Sequence, residues 1–112
     1  MKRVLLRPAA RKDLQAEARY YRQHAGEAVA RKLRDAVIEA LRRLEHNPTI
    51  GSPLLGQALR IEGLRTWRVG VFPSSIWYFE RADHVDVVRL VGDRQNPDGI
   101  GIDPTGFRSA DA

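Results

Sequence analysis

The chain contains no cysteine. A disulfide framework, a thiolate metal site and a cysteine nucleophile are therefore excluded. Histidine is scarce as well: His24, His46 and His84 lie too far apart for a local ligand motif, and no His-Glu-x-x-His run occurs, so neither a metal nor a cofactor is expected. No Ser-His-Asp constellation, paired-carboxylate site, phosphate-binding loop or dinucleotide fingerprint can be assembled. Any catalysis would have to run on arginines, tyrosines and groups of the substrate itself. Long apolar runs are also missing. The N-terminus offers only Val4, Leu5 and Leu6 in succession before Arg7, far short of a signal peptide or a membrane span. A cytoplasmic protein with no membrane contact is the expectation.

What is present suits a single folded domain. The chain has 112 residues, 43% of them hydrophobic, enough for one core and not for two. The net charge of +5 is unevenly placed. Residues 1–25 hold seven Lys/Arg against two acids, whereas residues 48–112 hold seven against eight. The N-terminal excess can attract nucleic acid or an acidic protein segment, and it can equally be a solvated surface.

Periodicity divides the chain in two. Val4 to Leu6 reads as a short strand, and Pro8 suits the first turn of a helix. Ala10, Leu14, Ala18, Tyr21 and Ala25 then form an apolar stripe at helical spacing, ending at Gly26. Ala30, Leu33, Val37, Leu41 and Leu44 repeat it up to Asn47-Pro48. With only Gly26 and its neighbours between them, the two helices should form an antiparallel hairpin. Residues 47–63, rich in glycine and proline, read as a long connection with a turn of helix near Leu54 to Leu59. Alternating patterns follow at Leu64–Val71, Ser75–Arg81 and Val85–Val91, joined by tight turns.

The expected fold is thus α+β: an N-terminal strand, an antiparallel helical hairpin, then a three-stranded antiparallel sheet joined by the first strand. Strict alternation puts Val85, Val87, Arg89 and Val91 on one face of the last strand and Asp86, Val88 and Leu90 on the other. Helices on one face would leave the other open and dotted with arginines. Pro97, Gly99, Gly101, Pro104 and Gly106 predict an irregular tail over residues 97–112, leaving residues 1–96 as the domain.

Arg65, Arg68 and Arg94 are the candidate functional cations, because guanidinium is a planar, permanently charged fork suited to phosphate or carboxylate. Arg94 is the strongest, since a turn directly after a hydrophobic strand displays it rigidly. Asp93 either pairs with Arg94 or caps the turn. Trp67, Phe72 and Tyr78 could stack nucleotide bases or pack, while Trp77 and Phe79 read as core. Tyr21 falls on the buried stripe and Tyr20 off it.

The order of short motifs resembles the RelE/ParE superfamily of bacterial toxins. It is carried by Arg7-Pro8-Ala9-Ala10-Arg11-Lys12-Asp13-Leu14, Tyr20-Tyr21, Leu44-x-x-Asn47-Pro48-x-x-Gly51, Gly63-Leu64-Arg65, Tyr78 and Gly92-Asp93-Arg94. The resemblance implies the toxin of a type II toxin–antitoxin pair, neutralised by a cognate antitoxin encoded beside it. Two targets follow. RelE-like members cleave messenger RNA on the ribosome, which would give Arg65, Arg68 and Arg94 catalytic roles. This chain departs from them, with Ser75 where they usually carry an arginine and no tyrosine after Tyr78. ParE-like members, associated with DNA gyrase, are matched better by the long hairpin, the Asn47-Pro48-x-x-Gly51 connection and the Asp93-Arg94 ending. The ParE-like reading implies a gyrase inhibitor without catalytic residues, contacting its target through Arg65, Arg68, Asp93 and Arg94. Its antitoxin would be held by Leu14, Tyr20, Tyr21 and Trp67.

Overall fold

A computed structural model describes residues 1–105. Strand β1 (Arg3–Leu6) leads into helices α1 (Pro8–Ala25) and α2 (Glu27–His46); a short helix α3 (Leu54–Leu59) precedes β2 (Arg65–Arg68), β3 (Ser74–Glu80) and β4 (His84–Gly92). The sheet order is β1-β4-β3-β2, with β1 parallel to β4 and the remaining pairs antiparallel. Pro8 opens α1 as the sequence predicts, and Gly26, at φ 94°, turns the chain directly into α2. A side chain there would be strained, so glycine is what allows the one-residue hairpin.

The α+β architecture follows the change of period near residue 64. The two long helices cover one face of the sheet, where Ala18, Leu33, Val37 and Leu44 pack on Ile76, Tyr78, Val85 and Val87. Strand β2 stops earlier than Val71 because the chain is already turning at Val69, whose N–H is bonded to the Ser74 carbonyl and whose carbonyl accepts from Phe72.

Three expectations are corrected. Strict alternation fails in β4: a bulge makes Trp77 oppose Arg89 while Tyr78 opposes Val87, leaving Val88 as the extra residue. An inserted residue shifts every later side chain to the other face. Leu90 therefore joins Val85 and Val87 under the helices, and Val91 joins Val88 on the opposite side.

That opposite side is not an open arginine-dotted surface. Leu64, Trp77, Phe79, Val88 and Val91 form a second buried cluster, covered by Leu55 and Leu59 of α3, by Ile61 and by Ile100 and Ile102. So much apolar area on one face requires a cover.

The tail supplies part of it, and residues 97–105 are docked, not loose. Pro97–Gly99 form a 3₁₀ turn capped by the Asn96 side chain. Ile100 and Ile102 enter the second cluster, while Arg7 and Arg81 donate to the carbonyls of Asp103 and Pro104 at 2.8 and 2.7 Å. Residues 106–112 of the expected tail lie outside the described residues.

Candidate functional site

The connection between α2 and β2 shows what Pro48, Gly51, Arg65 and Tyr78 of the motifs do. Tyr78 is fully buried; its hydroxyl donates to the Pro48 carbonyl at 2.7 Å and accepts from the Gly51 N–H at 2.9 Å. Burial raises the pKa of this phenol, so at neutral pH it is a neutral donor. A Cβ on Gly51 would sit 2.5 Å from the Tyr78 hydroxyl, which explains why glycine occupies that position. Arg65 belongs to the same knot, donating to the carbonyls of Thr49 and Gly51 at 3.2 and 2.7 Å. Its guanidinium is committed to loop carbonyls, and the structure places it apart from the other two candidate arginines.

Arg68 and Arg94 both lie at the end of the sheet where β2 enters its hairpin and β4 runs into its final turn, each with partners of its own. That turn is held by the Asp93 N–H on the Pro73 carbonyl at 2.8 Å and by the Gln95 side chain accepting from the Gly92 N–H at 2.8 Å. Asp93 pairs with Arg68 at 3.0 Å, not with its neighbour Arg94. Arg68 also donates to the Phe72 carbonyl at 3.2 Å. Arg94 instead lies over the ring of Tyr20, 4.4 Å from its centroid, with the Glu17 carboxylate 4.0 Å away. Both guanidiniums are more than half exposed, at 57% and 59% of the side chain.

Glu17 is the residue that motif reasoning missed. Only 15% exposed, it accepts a hydrogen bond from the fully buried Ser74 hydroxyl at 3.1 Å and so joins α1 to the sheet end. The available signal was spacing: Asp13, Glu17, Tyr20 and His24 recur at four, three and four residues and define one flank of α1. Asp13 on that flank accepts from the Leu90 N–H and both sides of the Arg89 fork, at 2.7 to 3.0 Å, capping the edge of β4 beyond the reach of β1. The Asp13 hydrogen bond raises the Arg89 pKa.

Aromatic rings complete the end face. Tyr20 stacks on His24 at 4.2 Å and meets Tyr21 edge-on, and Tyr21 in turn meets Phe72 edge-on. Burial, followed by the Glu17 charge, raises the Tyr21 pKa. At the tip of the β2–β3 hairpin Val71 is 96% exposed, an unusual position for an apolar side chain unless something covers it. Of the four residues expected to hold an antitoxin, Tyr20 is the exposed one; Leu14, Tyr21 and Trp67 are half-buried against the helix-side core.

Both cations at this end are matched by carboxylates, Arg68 by Asp93 and Arg94 by Glu17. The local charge is close to balanced, and the surface combines exposed guanidiniums, acids, aromatic rings and an apolar tip. Among the described residues no group of three or more potential metal ligands converges, and no helix is long and apolar enough to cross a membrane.

A family model described as the ParE toxin of the type II toxin–antitoxin system, parDE, matches residues 4–97. Among solved structures, the chain is similar to one described as the chromosomal ParDE TA system from P. aeruginosa, with a TM-score of 0.70 and 21% sequence identity over 82% of this chain and 96% of that one. At that identity the likeness speaks for the fold. No curated protein matches.

Proposed function

The chain belongs to the ParE toxin family of type II toxin–antitoxin systems, and from that premise we propose that it inhibits DNA gyrase by binding and that a cognate antitoxin neutralises it. The observation carrying the gyrase reading is the charge-balanced end face. A nuclease site must present uncompensated cations to a phosphorane whose charge grows in the transition state. Here Arg68 and Arg94 already face Asp93 and Glu17, and Arg65 holds a loop. A protein partner, by contrast, can exchange these exposed pairs for its own and bury Val71 and Tyr20 in the same contact. The residues assigned to the target are thus Arg68, Asp93 and Arg94, with Glu17 orienting Arg94.

The antitoxin reading draws on the apolar surface left beside the core. Tyr20 is exposed and Leu14, Tyr21 and Trp67 present partial surface, suited to a segment that folds as it binds. Both events take place in the cytoplasm. Ribosome-dependent messenger RNA cleavage is the alternative target.

Two assays on the unmodified protein decide between the targets. Purified gyrase should lose supercoiling activity or accumulate cleaved DNA in a reaction containing no ribosomes, and messenger RNA on stalled ribosomes should stay intact. Ribosome-dependent cuts without a gyrase effect would overturn the reading. Co-expression with the neighbouring reading frame should yield a stable complex, and separate purification of the two at micromolar concentration would remove the antitoxin part.

A further inference from the structure

The flank of α1 turned away from Asp13 and Glu17 carries Arg11, Lys12, Arg19 and Arg22, all exposed. At 100° per residue the four fall within an arc of about 100°, with no acid among them. Both acids of the helix lie on the other flank, engaged with Arg89 and with Ser74 and Arg94. Arg22 shares Glu27 with Arg34, whereas Arg11, Lys12 and Arg19 have no ion-pair partner among the described residues. The contrast with the balanced end face is the informative part: here three of the four cations are uncompensated.

We propose that this flank of α1 is a contact surface for the phosphate backbone of duplex DNA, used when the protein meets gyrase on its DNA; that setting rests on the gyrase reading. Charge alone would also suit an acidic peptide. Such a segment, folding on binding, needs apolar anchors, and within α1 the one exposed large apolar side chain, Tyr20, lies outside the basic arc. What accompanies the cations is Gln15 and Gln23, both exposed, whose amides donate to phosphate oxygens. Lys12 and Arg19 are seven residues apart, roughly 10 Å along the helix axis, a reach that spans about three phosphates of one strand. No base-reading geometry is implied, so binding should be independent of sequence.

The test is fluorescence anisotropy of the full chain with a labelled 20-base-pair duplex between 50 and 200 mM KCl. Three to four phosphate contacts predict a slope of log K against log salt of about −2.7 to −3.6, a loss of roughly 40- to 150-fold over that range. Lys12→Glu with Arg19→Glu should flatten the slope by about two. Arg42→Glu with Arg43→Glu makes the same change in net charge on α2, whose exposed pair already faces Glu39, and should leave the slope nearly unchanged. Equal effects of the two double variants, or no salt-dependent binding by the wild-type chain, would overturn the proposal; so would preference for polyglutamate over the duplex. In the gyrase assay, inhibition by the wild type that survives Lys12→Glu/Arg19→Glu undiminished removes the DNA contact and leaves the gyrase reading intact. Unchanged DNA binding with no gyrase effect does the opposite.

Discussion

Two of this small domain's arginine–carboxylate constellations, those of Asp86 and Asp93, differ chiefly in water. At one, Asp86 is 6% exposed and accepts a two-pronged contact from Arg7 at 3.0 and 2.8 Å and a second guanidinium, Arg81, at 2.9 Å. At the other, Arg68 and Asp93 meet at 3.0 Å with more than half of the Arg68 side chain in solvent. The lengths are alike, but the energetics are not. Exposed pairs are screened and contribute about 0–1 kcal/mol, whereas removing the buried anion strands two guanidiniums whose side chains are only 16% and 27% exposed. The buried set ties β1, the β3–β4 turn and the docked tail together. The exposed set is available to a partner.

The largest effect should therefore come from Asp86→Ala, which leaves Arg7 and Arg81 facing each other without their anion. A loss of about 3 kcal/mol is expected, read as a lower denaturation midpoint at unchanged m-value. If chemical denaturation shifts by less than about 1 kcal/mol, the contrast drawn between the two clusters is wrong. Next is Tyr78→Phe, which leaves the buried Gly51 N–H and Pro48 carbonyl without their shared hydroxyl, at about 1–3 kcal/mol. Gly51→Ala should destabilise through the same knot because its Cβ has no room, and combining the two should be less than additive, since Tyr78→Phe removes the nearest of the three atoms the Cβ would meet while the ring Cε1 and the Thr66 carbonyl stay at 2.8 and 2.9 Å.

Acid should separate the clusters further. Burial alone would push the Asp86 carboxyl up, but hydrogen bonds and charge from Arg7 and Arg81 hold it below the usual carboxylate range. A depressed folded pKa contributes stability that is present above the unfolded pKa and lost as pH falls through the folded one. That window lies below the ordinary value of 3.8. Wild-type stability measured from pH 5 downward should thus fall more steeply than that of Asp86→Asn, and parallel curves would assign acid sensitivity elsewhere.

The smallest effect on stability belongs to Arg68→Ala and Arg94→Ala, each within about 1 kcal/mol. Their effect on function should be the reverse, with gyrase inhibition weakened by about tenfold or more for a central contact residue. A variant that melts normally and no longer inhibits sharpens the comparison. One that inhibits normally would move the target surface away from this end.

Several features were legible before any coordinates. Helix α1 was marked by its stripe and by Pro8 and Gly26, α3 by Leu54 to Leu59 between glycines, and Arg94 by its place after a hydrophobic strand. Side-chain commitments were not. Arg65 looks as free as Arg68 in sequence, yet its fork closes on loop carbonyls, and Asp93 passes over its neighbour to reach a residue 25 positions away. Glu17 matches no motif because its role arises from Ser74 and Arg94, both distant along the chain.

The sequence by itself determined the period of each segment, the signs of its charges and the sites where the chain must turn, because these depend on neighbours within four residues. Only the tertiary structure decided the phase of β4 after its bulge, the closing of the sheet's second face by Ile100 and Ile102, and which arginines are neutralised. Those outcomes rest on contacts between residues far apart in the chain, where burial sets the strength of a charge pair and where a single extra residue, Val88, exchanges the two faces of a strand.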